Sequence, residues 1–130
     1  MSSDDTFRVN FITMIKIIAK SAHQSGKCPI EKAILDLIIN IVSGSNSLKT
    51  RFRDNITKLR DQYRNSNTPF DALVKKRDRS VFNNMDLFPN DLRRDYNDYI
   101  QWFSDYLVND MPDKTLHCIW KFIDRLISSI

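Results

Sequence analysis

The chain has 130 residues, 42% hydrophobic and 28% charged, a length and composition that support one buried core over residues 1–130 and exclude two ordinary domains. Two glycines exclude Gly-rich phosphate loops and dinucleotide fingerprints, and two cysteines exclude a disulfide scaffold. With no apolar leader after a basic start, the expected setting is a reducing, intracellular one.

The net charge of +4 is local in origin. Between Leu48 and Arg79 ten Lys or Arg stand against four Asp, while the rest of the chain holds ten basic and twelve acidic residues.

Apolar residues recur at three and four over residues 4–25 (Phe7, Phe11, Met14, Ile15, Ile18, Ala22), with Asp4 and Asp5 at the positive end and Gly26 as a stop, which predicts a first helix. Residues 30–42 are so densely apolar that only Lys32, Asp36 and Asn40 form a polar strip. That density predicts a second helix at the centre of a bundle, with Pro29 in its first turn and Gly44 as a left-handed cap. Asn46 or Ser47 is suited to cap a third helix with the stripe Leu48, Phe52, Ile56, Leu59 and Tyr63. Thr68 before Pro69 predicts a fourth over 69–83, followed by a loop anchored by Met85, Leu87 and Phe88.

A fifth helix begins at Asn90 or Asp91, with Leu92, Tyr96, Tyr99, Ile100, Phe103 and Leu107 inward and Trp102 and Tyr106 at the edge of that face. A sixth follows Pro112, through Leu116, Ile119, Trp120, Ile123, Leu126 and Ile127. No segment alternates with period two, and the longest apolar run is far short of the roughly 20 residues a membrane span needs. The fold class is therefore all-α, a compact bundle of five or six helices, with Ile34, Leu37, Ile38, Ile41, Phe103 and Ile123 among its most buried residues.

Three features bear on function. At about 100° per residue, Lys49, Arg53, Arg60 and Arg64 fall in one strip of the third helix. With Lys75, Lys76 and Arg79 they make an anionic or nucleic-acid footprint, the alternative being a solvated face. Arg77 and Asp78 project toward the inner face of the predicted fourth helix. A buried charge there needs a partner, so they are expected to form a structural polar clamp, Arg77 forking onto a carboxylate or carbonyls of another helix. Trp102, Tyr106 and Phe122, at face edges of the last two helices, make an expected exposed aromatic surface for a protein partner or a second copy.

Residues 69–82, with Phe70, Leu73, Val74, Lys76, Arg77, Asp78 and Phe82, and the downstream run Ile119, Trp120, Lys121, Phe122, resemble a motif of uncharacterised small helical proteins of large nucleocytoplasmic DNA viruses. The resemblance covers the C-terminal half and implies a viral accessory or virion-associated role with no catalytic residues.

His23, Cys28, His117 and Cys118 lack the spacing of a structural zinc site, and no nucleophile or acid–base pair is recognisable. The expectation is a non-enzymatic interaction module with no metal or cofactor. Protein partners or self-association rank ahead of nucleic acid.

Overall fold

A computed structural model of the chain describes residues 3–85, 88 and 90–130, with the backbone alone at 90–93. Six α-helices run in order: α1 (Ser3–Gln24), α2 (Lys32–Ser43), α3 (Leu48–Gln62), α4 (Phe70–Lys75), α5 (Asn90–Asn109) and α6 (Asp113–Ser128). A 3-10 turn (Arg79–Asn83) lies between α4 and α5. Among the described residues there is no strand, and the architecture is the expected all-α bundle.

The centre is α1. It packs against α2, α3, α5 and most extensively α6, while the 3-10 turn packs on α5 and α4, and α4 on α3. Phe7, Phe11, Met14, Ile15, Ile18, Ala19, Ser21 and Ala22 are all buried, an arc wide enough to serve several neighbours at once. Phe7 meets Phe52 of α3 with ring centroids 5.4 Å apart, and Phe11 meets Phe88 edge-on at 5.7 Å. Gly26 ends the helix at φ 68°, where Lys27 N–H donates to Ala22 O and Gly26 N–H to His23 O. This is the six-to-one and five-to-two bonding of a Schellman cap, which needs a left-handed residue.

The expectation that α2 is central fails. Only Ile38 and Val42 of this helix are buried; Ile34, Leu35, Ile39 and Ile41 are half-buried, and Leu37 is 42% exposed. Apolar density does not say how many neighbours a helix has, and α2 has only α1 as a substantial one among the described residues. Of the six residues expected to be most buried, Ile38, Phe103 and Ile123 are core, whereas Ile34, Leu37 and Ile41 flank it. Gly44 is right-handed at φ −87°, not a left-handed cap; its N–H donates to Asn40 O and the chain turns onward through Ser45 N–H to Val42 O.

The predicted fourth helix is also divided. It stops at Lys75, and residues 79–83 tighten into the 3-10 turn. Neither Pro69 at the start of α4 nor Ser47 at the start of α3 gives a side-chain cap. Met85 and Phe88 anchor the following connection in the core, while Leu87 and the Leu92 side chain lie outside the described residues.

α5 is bent at Tyr96, whose φ −132° and ψ 31° are non-helical. Ile100, Phe103, Tyr106 and Leu107 are buried, and Tyr96, Tyr99 and Trp102 are half-buried. Tyr106 is only 1% exposed, and its hydroxyl lies 2.9 Å from Ser21 Oγ of α1, joining the two helices inside the core.

Removing one partner of a buried hydrogen bond leaves the other unsatisfied, at a cost of about 1 to 2 kcal/mol. Urea unfolding should therefore show Tyr106→Phe and Ser21→Ala each destabilising by about that amount, and the double variant by clearly less than the sum of the two. Strict additivity would mean that the two hydroxyls do not interact.

Candidate functional site

Lys49, Arg60, Arg64, Arg77 and Arg79 of the basic region pair with aspartates, of which Asp4, Asp124 and Asp113 come from outside that region. α3 buries Leu48, Phe52, Ile56 and Leu59, which turns its other side outward. Lys49 lies 3.9 Å from Asp4 and donates to Ser3 Oγ at the start of α1. Arg60 forks onto Asp71 of α4, with Nε 3.0 Å from Oδ2 and an Nη 3.1 Å from Oδ1. Arg64 pairs with Asp61 at 2.6 Å, and Arg79 with Asp113 at 2.6 Å while also donating to Met111 O. Of the seven predicted anion-binding residues, Arg53, Lys75 and Lys76 are exposed and make no ion pair among the described residues. Each paired cation is partly neutralised where it stands, so the α3 strip presents much less positive field than its sequence implies.

Arg77 occupies the left-handed region at φ 59°, immediately after α4. Asp78 N–H donates to Leu73 O and Arg77 N–H to Val74 O, both at 3.0 Å, the same cap that Gly26 forms on α1. Here an arginine takes the place usual for glycine. Its side chain forks onto Asp124 of α6 at 2.9 and 2.7 Å, with the guanidinium carbon 5.5 Å from the Trp120 ring centroid. Trp120 in turn packs on Phe82 at 4.7 Å.

Asp113 and Asp124 are eleven residues apart, about three helical turns, and so lie on one side of α6. Arg79 and Arg77 strap the segment between α4 and the 3-10 turn to that side. The clamp is less buried than the sequence projection suggests, with Arg77 and Asp124 side chains 36% and 47% exposed, because α4 has ended before Arg77. Asp78 is exposed and caps the 3-10 turn by accepting from Ser80 N–H at 3.0 Å.

The expected aromatic surface does not exist as such. Tyr106 is core, and Phe122 is 7% exposed with the Arg125 guanidinium 5.1 Å over its ring. Trp102 is half-buried, stacked on Tyr106 at 5.5 Å and 24°. Tyr106, three residues past Phe103 and one before Leu107, shares their buried arc of α5, and α6 buries an arc wide enough to include Phe122.

The apolar surface lies instead on α2, in residues assigned by sequence to the core. Ala33, Ile34, Leu37 and Ile41 follow one another at one, three and four along a flank beside the buried Ile38 and Val42. Leu37 and Val9 are the large hydrophobics most exposed among the described residues, at 42% and 51%. The readable signal was the width of the apolar arc of α2, wider than one neighbouring helix covers.

His23 and His117 are exposed, and Cys28 and Cys118 half-buried. Among the described residues no three His, Cys, Asp or Glu side chains stand together as metal ligands. No helix among them is long and apolar enough to cross a membrane.

The Arg77 strap has a pH signature. The hydrogen bonds from Arg77 hold the Asp124 carboxyl below its ordinary value, against an opposing effect of burial, and the same bonds raise Arg77. Ser80 likewise lowers Asp78, chiefly through its backbone N–H. A carboxyl with a lowered folded-state value stabilises fully above its unfolded value of about 3.9 and loses that contribution as pH falls through the folded value.

For a partly exposed fork the contribution is about 0.5 to 1 kcal/mol. Thermal unfolding should show wild type more stable than Asp124→Asn at neutral pH by that amount, with the gap closing below about pH 4. Arg77→Gly should be more stable than Arg77→Ala by about 1 kcal/mol, because glycine relieves the left-handed backbone. Equal stabilities would show that no backbone strain is held at Arg77.

No protein-family model, curated protein or solved structure matches this chain.

Proposed function

We propose that this protein is a non-enzymatic helical interaction module that receives an amphipathic helix of a partner protein along the outer flank of α2. The observation carrying this reading is that α2, apolar over most of its circumference, sits at the edge of the bundle and buries only Ile38 and Val42. Ile34, Leu37 and Ile41 then form a seam at the spacing of helix-in-groove anchors, with Lys32, Asp36 and Asn40 as its polar rim.

The size of the seam favours one helix as its occupant. α2 has 12 residues, about 18 Å at 1.5 Å each. A stable dimer buries about 800 Å² per partner, more than one three-turn seam offers, whereas a single helix packing alongside α2 needs no more than a face of this length. An accessory role of the kind implied by the viral resemblance of residues 69–82 is one that such a module would serve.

Anisotropy titration with a labelled amphipathic peptide carrying leucines at i, i+3 and i+7 tests the reading. The expected result is micromolar binding that Leu37→Lys weakens about tenfold, with melting little changed because the site is already partly solvated. Absent binding, or binding indifferent to Leu37→Lys, would overturn it. Light scattering that shows a dimer dissolved by the same substitution would assign the seam to a second copy instead.

A further inference from the structure

We propose that the outward face of α6, together with Lys75 and Lys76, binds the phosphodiester backbone of nucleic acid without reading its sequence. Lys114, Lys121 and Arg125 are spaced by seven and four, so they fall within about 40° of one another on the helix and span about 16 Å of its length. All three are exposed, and none makes an ion pair among the described residues. His117, also exposed, lies about 60° from Lys114, between the row and the two aspartates of α6.

The aspartates that would neutralise this row are already engaged. Asp113 and Asp124 lie to one side of it, held by Arg79 and Arg77. The same two pairs tie Arg77 and Arg79 to α6, and the exposed Lys75 and Lys76 immediately precede Arg77 in the chain. Arg125 is further steadied by its position over Phe122. Lys114, Lys121, Arg125, Lys75 and Lys76 thus have no carboxylate partner among the described residues, whereas Lys49, Arg60 and Arg64 of α3 each have an aspartate.

The chemistry of the face selects the class of ligand. A protein interface has an apolar centre and few lysines, and a membrane-surface helix sinks an apolar face among lipids. α6 has spent its apolar face on the core, burying Leu116, Ile119, Trp120, Phe122, Ile123 and Leu126, and its outward row is lysine and arginine. Such a row meets the phosphates of a polyanion, with nothing present to read base edges. This surface is separate from the α2 seam.

The test is anisotropy of a labelled 20-base-pair duplex of arbitrary sequence, titrated with the full chain between about 0.02 and 0.2 M salt. With five phosphate contacts the slope of log K against log salt should be about −4.5. Lys121→Ala/Arg125→Ala, and independently Lys114→Ala/Lys121→Ala, which leaves the Arg125 contact with Phe122 intact, should each flatten it to about −2.7. The charge-neutral pair Arg60→Ala/Asp71→Ala should leave the slope unchanged, and circular dichroism should show every variant folded. No duplex binding at low salt would overturn the proposal, as would a slope that falls with the α3 pair and not with the α6 pairs. Binding to phosphatidylserine vesicles in the absence of duplex binding would reassign the row to a lipid surface.

Discussion

The four longer helices that follow it in this fold all lean on one face of α1. α1 buries eight residues between Phe7 and Ala22, and α2, α3, α5 and α6 all pack against it. At native packing density one buried side chain on such a helix touches residues from more than one neighbour, so loss of a large one opens a gap shared by several interfaces. The Ser21 to Tyr106 hydrogen bond adds direction to this otherwise apolar wall, since a buried hydroxyl is satisfied in only one register of α5 against α1.

Around that wall the molecule divides into two kinds of surface. On α2 the apolar arc exceeds what α1 can cover, which leaves Ile34, Leu37 and Ile41 at the solvent margin. On α6 the opposite holds: the apolar arc is wholly consumed by the core and the remaining face is cationic. The aspartates decide where positive charge survives. Those of α1, α3 and α4 hold Lys49, Arg64 and Arg60, and those of α6 hold Arg77 and Arg79, which leaves Arg53, Lys75, Lys76 and the outward row of α6 without carboxylates among the described residues.

Much of this was legible in the sequence, for reasons that are local. The period of α1, its two aspartates at the start and Gly26 at the end are properties of one segment, and helix bounds followed them closely. The stripe of α3 likewise faces the core as its spacing requires. The misses come from information that lies elsewhere in the chain. Tyr106 goes in because α1 covers the part of α5 beside Phe103 and Leu107 and sets Ser21, 85 positions away, against its hydroxyl. α4 stops without a glycine because Arg77 adopts the left-handed cap and is steadied by Asp124, 47 positions away. The number of neighbours around α2, and the partner of each basic residue, are likewise tertiary facts that no window of sequence contains.

α1 carries the bundle, while α2 lies at its margin with a partly exposed apolar face. Native-state amide hydrogen exchange measures this directly, since protection reports the free energy of the opening that exposes each amide. Amides of residues 11–22 in α1 should exchange only with global unfolding, whereas those of residues 36–43 in α2 should exchange through a separate opening of much lower free energy. Equal protection of the two helices, rising and falling together with denaturant, would contradict it.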